Sequence, residues 1–377
     1  MQSLIALAAA AVAATLSFSP AQPPPPQPPD APLAPAVLAT RTVPCTNTLT
    51  DARLINNRIA ASKPGDEIVF NGPCLVNETI KLLGNRTYRG GSRTGTQIKQ
   101  ADGANLPAIF ASDSWVDNSS TTGLPITLRT LTINGNVANN PTAGDSIVLR
   151  SWQTTVEDIE INGSARDGVR VTSVSANGTR LTNTQVNGRI ASMQINRSGR
   201  HGVNVDDPGN SVTDWQLADN YIAGTGSDGV SMDNTAGWLI TGNHIYGVDG
   251  ETGLAMNRLY GSSVHDNYIE DFGTYGIYAA VQGGAASTIS SNRIFKFNDG
   301  SGTFLHVRGN YANAFVSVTG NAIRGNGEGI GLDYQRGSAE SLEVVSTGNL
   351  VSEVTIPRQV GEGVTLSSGT LADDGTL

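Results

Sequence analysis

Two aspartates in this chain stand where a pair of carboxylates could do acid–base work. Asp206 and Asp233 each follow Gly-Val-x-hydrophobic by one residue, in Gly202-Val-Asn-Val-Asp and Gly229-Val-Ser-Met-Asp. If Val203 and Val205 point inward on a strand, Asn204 and Asp206 point outward. The same rule applied to the second phrase turns Ser231 and Asp233 outward. Adjacent strands of a sheet lie about 4.8 Å apart, so stacked copies would bring Asp206 and Asp233 into one column. Carboxylates that close cannot both ionise cheaply, and one is expected to hold its proton. A protonated acid beside an ionised base is what glycoside hydrolysis needs. Asp228 leads into the same rung as Asp233, and a diagonal Asp206–Asp228 pair reaches the longer separation of inverting enzymes. His201, at the turn before Asp206, could tune or relay a proton. The catalytic candidates are therefore Asp206, Asp233, His201 and Asp228. Clustered acids also suit turn chemistry, as in Asp206-Asp-Pro-Gly, or a Ca²⁺ site as the alternative to no cofactor.

A second chemistry on the same face is β-elimination on a uronic-acid polymer, which needs a charge neutraliser for the carboxylate and a base. Arg170, Arg200, Arg258 and Arg308 could supply the charge, and His201, or Tyr275 with Tyr278, the base and acid. For either reaction the expected substrate contacts are Arg170, Asp207, Glu251, Asn257, Arg258, Tyr275, Tyr278, His306 and Asp333. Phe304 joins Tyr275 and Tyr278 as a stacking candidate. Trp215 and Trp238 are expected to pack in the core or laterally instead.

The elements that must position these residues repeat. The phrase Gly-aliphatic-x-hydrophobic opens at Gly168, Gly202, Gly229, Gly253, Gly276 and Gly329, with a weaker copy at Gly302. From Gly202 to Gly329 the steps are 27, 24, 23, 26 and 27 residues. An Asn followed two residues later by an aliphatic keeps time with it, at Asn220, Asn243, Asn267, Asn292, Asn321 and Asn349. Two phase-locked phrases mean one structural unit stacked many times. Each unit reads as three short strands separated by turns, ten to twelve units in all by the period of about 25 residues. The repeated Asn is expected to form a structural ladder inside a turn. The step from Gly168 to Gly202 is 34 residues and predicts a loop beside the outward face.

The remaining segments frame the stack. Residues 1–21 contain an apolar run and read as a secretory signal peptide; residues 22–40 continue a Pro-rich linker, and residues 20–35 hold nine of the 17 Pro. Residues 41–75 read as an N-terminal cap. Its helix falls within residues 49–62, with Leu54, Ile55, Ile59 and Ala60 at helical spacing, and it would cover the first rung. Cys45 and Cys74, the only two cysteines, are expected to form a disulfide there. The regular stack spans residues 66–365 and a tail residues 366–377. With four Lys, no basic stretch and a net charge of −9, nucleic-acid binding is excluded as a reading. No segment beyond the signal could span a membrane.

The helical cap, Lys63-Pro-Gly-Asp-Glu-Ile-Val-Phe and the repeated Gly-Ile-x-x…Asn-x-Ile resemble the pectate lyase-like superfamily across residues 45–365. The resemblance implies an all-β fold, a right-handed parallel β-helix with three short strands per rung and a short N-terminal α-helical cap. That superfamily includes polysaccharide lyases, glycoside hydrolases, epimerases, transferases and trimeric tailspikes, so the reaction must come from the site. The expected protein is a secreted, extracellular enzyme that cleaves a polysaccharide with carboxylates. A uronate lyase and a noncatalytic glycan-binding or display solenoid are the alternatives. A monomer is expected, with a homotrimer as the alternative.

Overall fold

The computed structural model describes residues 39–297, 300–368 and 372–373. The expected signal peptide and nearly all of the Pro-rich linker lie outside the described residues. The rest is a right-handed parallel β-solenoid of about 12 turns. The Gly-led strands form one eleven-stranded parallel sheet, from Ile80–Leu82 through Val203–Asp206 and Val230–Met232 to Ile356–Val360. The other two strands of each rung join a 23-stranded sheet. The stack starts before the expected boundary, because Thr40–Pro44 already pairs with Glu67–Asn71. It also runs past residue 365, since Val364–Ser368 pairs with Ser341–Thr347.

The two sequence phrases interlock inside the core. A Cβ added at Gly202, Gly229, Gly253 or Gly276 would lie 2.3–2.6 Å from the Cγ2 of Ile222, Ile245, Ile269 or Ile294. Each of those isoleucines belongs to an Asn-x-Ile phrase. The missing side chain on the Gly-led strand is therefore the space that the isoleucine fills. Main-chain oxygens of the next rung lie almost as close, so no side-chain repacking could admit alanine there.

The asparagines form the expected ladder. Asn220, Asn243, Asn267, Asn292 and Asn321 each donate both backbone N–H and Nδ2 to the Oδ1 of the next, at 2.8–3.2 Å, ending on Asn349. Each Nδ2 also reaches a main-chain carbonyl of the preceding rung, such as Leu217 from Asn243 and Ile240 from Asn267. All six are buried, so these bonds satisfy groups that water cannot reach. Trp215 and Trp238 are buried and stacked 5.7 Å apart, as expected.

The cap is the helix Asp51–Ala60, which buries Ala52, Ile55 and Ile59 against the first rung; Leu54 stays exposed. Asp51 is buried and accepts from the backbone N–H groups of Thr46, Thr48 and Leu75. Burial opposes its charge, but these bonds outweigh it and hold the carboxyl below its ordinary range. The Cys45–Cys74 disulfide ties the same region.

One correction concerns register. Leu305 pairs with Ile277, and Leu332 with Leu305. Phe304 and Gly331 therefore take the glycine slot in these two rungs, two residues after Gly302 and Gly329. Phe304 is buried edge-on to Phe272 and is no stacking platform.

Replacing Asn267 by Ala is expected to lower unfolding free energy by about 3 kcal/mol, since it orphans the Asn243 N–H and the Ile240 carbonyl. Urea unfolding checks this; a change near zero would mean that the ladder is ornamental.

Candidate functional site

The corrected register sets the columns. The outward column reads Arg170, Asn204, Ser231, Ala255, Tyr278, His306 and Asp333 on successive strands. A second column begins with Thr172 and Asp206. Asp233 continues it, its N–H bonding the Val205 carbonyl at 2.9 Å. A third set lies two residues before each inward aliphatic, where the chain turns into the sheet: Asp145, Asp167, His201 and Asp228. Preceding turns cover these positions, which is why carboxylates there become desolvated.

The densest charge lies at the first of these rungs. Asp167 is fully buried. Arg200 binds both its oxygens, through Nε at 2.7 Å and through Nη2, and Asn204 Nδ2 adds a third bond at 2.9 Å. Burial opposes ionisation of Asp167, but the Arg200 bonds and charge outweigh it and keep the carboxyl below its ordinary range. Asp145, one rung back, accepts the Asp167 N–H at 3.1 Å and has Arg170 at 3.7 Å and Arg166 at 3.9 Å. It is buried without a short ion pair. Burial, followed by the charge of Asp167, pushes its carboxyl up to about 6. Arg170 reaches the other way to Asp206, with which it makes a direct ion pair. One guanidinium thus stands between a buried acid and a half-exposed carboxylate.

His201 and Asp228 form the neighbouring pair. The Asp228 N–H donates to His201 Nδ1 at 3.2 Å, so Nδ1 is an acceptor and a neutral ring carries its proton on Nε2. Burial holds the His201 pKa below its ordinary value and pushes that of Asp228 above it. The Asp228 carboxylate lies 3.7 Å from His201 and accepts the Thr252 N–H at 3.0 Å.

A groove of about 550 Å³ opens over Asp145, Arg166 and Arg170. Thr79, Asn105, Pro107 and Thr142 line it along the leading turns, and Trp115, Val116 and Ala176 form its opposite wall. That wall is partly the loop expected between Gly168 and Gly202. Ala176 N–H bonds the Trp115 carbonyl, and the buried Arg150 guanidinium ties Ser114 to Thr179. A second groove, of about 520 Å³, runs past Asn134, Asn162, Arg197 and Asp249. It contains none of the buried carboxylates, so the chemistry argues for the first.

The other expected residues are dispersed. Asp233 accepts from Asn257 at 2.9 Å, one rung beyond Asp206. Glu251 is exposed at a leading turn. Arg258 is held by Gln282, Asn210 and the Asn234 carbonyl and lies over the Tyr260 ring. Asp207, expected to contact substrate, is corrected to a turn residue. It is fully buried, and its Oδ2 accepts the Ser211 and Val212 N–H groups at 2.7 Å. Tyr275, Tyr278, His306 and Asp333 do come together, three to five rungs beyond Asn204. Among the described residues no group of three His, Cys, Asp or Glu side chains is arranged to hold a metal ion. Here the carboxylates are met by Arg, Asn and backbone N–H groups, a donor set that does not fit Ca²⁺. No helix among the described residues is long and apolar enough to cross a membrane.

Sequence reasoning missed Asp145, and kept Asp167 and Arg200 outside its main candidates. Their only signal was their place just before the inward aliphatics.

The chain belongs to the right handed beta helix family, whose pattern matches residues 181–371. Among solved structures it is similar to the A-module of mannuronan C-5 epimerase AlgE4 from Azotobacter vinelandii, at 13% identity and TM-score 0.54, over 85% of this chain and 92% of that one. It is also similar to the Agl-KA catalytic domain, at 12% identity and TM-score 0.59, over 89% and 69% of the two chains. A third similar structure is PfbA, a surface adhesin of Streptococcus pneumoniae, at 14% identity and TM-score 0.55, over 88% and 93%. At these identities the likeness is one of fold. A comparison with curated proteins finds no match.

Replacing Arg200 by Met should destabilise the protein by about 3 kcal/mol, because Asp167 would be left buried and uncompensated. Adding Asp167→Asn should recover part of that loss. Thermal unfolding of the single and double variants checks the coupling, and strict additivity would contradict it.

Proposed function

We propose that the protein is a secreted carbohydrate-active enzyme that cleaves glycosidic bonds of a polysaccharide by carboxylate acid–base catalysis. The observation that carries this reading is the buried Asp145 carboxyl, raised to about 6 in the wall of a groove, with Asp206 across the Arg170 guanidinium. Asp145 is the general acid and protonates the leaving glycosidic oxygen. Asp206, ion-paired and half exposed, is the base that draws a proton from the attacking water. Arg170 keeps the two carboxylates apart, and room for a water between them is what an inverting mechanism requires. The role expected for Asp233 thus passes to Asp145, while Asp206 keeps its own. His201 and Asp228 pair with each other at the leading turns, beside Asp167. The disulfide supports an oxidising, extracellular setting. The fold shared with the mannuronan C-5 epimerase module agrees with action on a glycan.

The test is incubation with plant, algal and bacterial-wall polysaccharides, with and without Ca²⁺, reading new reducing ends together with ultraviolet absorbance of unsaturated uronides. Reducing ends without absorbance are expected. Asp145→Asn and Asp206→Asn should each lower kcat at least about 100-fold. Rising absorbance would instead assign β-elimination, and binding without either signal would assign a noncatalytic solenoid.

The pH profile gives a separate check. A general acid works protonated, so kcat should fall as pH rises through about 6, and the limb should follow Asp145. Stability has the same sign. The folded pKa lies above the ordinary value of 3.8, so the uncharged group is tolerated at low pH and stability is lost as pH rises through about 6. In Asp145→Asn that loss should be absent from the unfolding curve.

A further inference from the structure

Three to five rungs beyond Asn204 the same sheet carries a second built cluster that the proposed acid–base chemistry does not use. His306 and Asp333 are neighbours in the outward column, and both are more than nine-tenths buried. Asp333 Oδ2 lies 2.7 Å from His306 Nδ1, and its Oδ1 accepts from Gln335 Nε2 at 2.6 Å. Burial opposes charge on Asp333, but the bonds from His306 and Gln335 outweigh it and hold the carboxyl below its ordinary range. An ionised Asp333 fixes the imidazole with a proton on Nδ1. His306 Nε2 then has no protein partner among the described residues. Tyr278 stacks on the ring, with centroids 5.4 Å apart and planes 10° off parallel. Tyr275 leans against both, at 5.1 Å from His306 and 5.5 Å from Tyr278. Arg308 follows two residues after His306 and is exposed.

Burying a carboxylate to orient a ring is costly. Here the oriented ring bonds nothing further among the described residues, which leaves its Nε2 for a ligand. The cluster offers an imidazole nitrogen, two phenol hydroxyls and a guanidinium beside apolar ring edges. That mixture suits a sugar, with its hydroxyls and its C–H faces. Spacing supplies the second argument. Each rung rises about 4.8 Å, close to the length of one pyranose in an extended polysaccharide. Between the clusters the outward column narrows to Ser231 and Ala255, which leave the floor low.

We propose that Tyr275, Tyr278, His306 and Arg308 form a second saccharide-binding site, which holds a distant segment of the same polysaccharide whose bond is cut near Asp145 and Asp206. This rests on the catalytic reading above and extends it. The chain lies along the solenoid axis at about one sugar per rung. Oligosaccharides of roughly five or more units, by the 4.8 Å rise, reach both sites, and shorter ones reach only one.

The experiment titrates two ladders, oligogalacturonates and cello-oligosaccharides from dimer to octamer, into the Asp145→Asn protein by calorimetry. The acidic and neutral ladders separate charge recognition by Arg308 from hydroxyl recognition. In one ladder affinity should step up sharply between trimer and hexamer. Tyr278→Ala and His306→Ala in the same background should each weaken hexamer binding about tenfold, which is about 1.4 kcal/mol. Binding of the first dimer, at the Asp206 end, should be unchanged. Tyr278→Phe should recover the part that the ring supplies, and circular dichroism confirms that each variant folds. A flat dependence on length, a step that survives both alanine variants, or no binding by either ladder overturns the proposal. Cleavage by the native protein is scored separately. A length step without cleavage defeats the catalytic reading while leaving a two-site groove, and cleavage without a step does the reverse.

Discussion

The structure depends on a contact between an absent side chain and a methyl group. Each Gly-led strand leaves a gap that the isoleucine of an Asn-x-Ile strand fills, at a distance no β-carbon would permit. That contact fixes how deep the third strand of a rung lies against the site sheet. The asparagine two residues before the isoleucine then fixes height, because its amide bonds the next asparagine above. One phrase sets lateral position and the other sets vertical register. Neither alone would stop a strand from slipping, and a slip by one residue would turn every outward side chain inward.

Register of this quality is what allows charges to be placed. The buried aspartates of the leading turns are tolerable because arginines one rung away arrive at fixed positions. Asp167 takes both arms of Arg200, while Asp145 is left with two distant guanidinium contacts. The two carboxyls are equivalent by position in adjacent rungs, yet one is held charged and the other is pushed toward neutrality. The difference lies in which arginine reaches which rung. A repeat that makes equivalent backbone at each level thus shifts two carboxyls in opposite directions through one side chain.

Much of the fold was legible because its determinants are local and periodic. The glycine and asparagine phrases, the cap helix and the cysteine pair all stand in the chain as patterns. The site was legible only in part. Arg170 and Asp206 lie in or just after regular copies of the phrase and His201 and Asp228 just before them, and the structure pairs Arg170 with Asp206 and His201 with Asp228. Asp145 stands in Gly144-Asp-Ser-Ile-Val-Leu, where Ser146 occupies the glycine slot and bonds Ser164 instead of making room for an isoleucine. With the phrase missing, nothing marked that rung. In two later rungs the opposite occurred: Gly302 and Gly329 imitate the phrase two residues early, and Phe304 and Gly331 hold the real slot. Asp207 reads like its neighbour Asp206, yet the Pro-Gly turn draws its carboxylate inward to backbone N–H groups.

Ion pairing was the part that no spacing could reveal. Arg170 meets Asp206 across 36 residues and Arg200 meets Asp167 across 33, the long rung that carries the groove wall. The extra residues in that rung do two things at once. They build the segment that meets Trp115, and they leave the sheet register undisturbed, since Val169 and Val203 still pair directly. Insertions in a solenoid can therefore add walls without moving the floor. A groove with a constant pitch and a variable wall is a scaffold on which the wall can change shape while the outward side chains of the sheet keep their places. In this chain the wall rises over Asp145 and Arg170, and the floor runs on past Ser231 and Ala255 toward the His306 cluster.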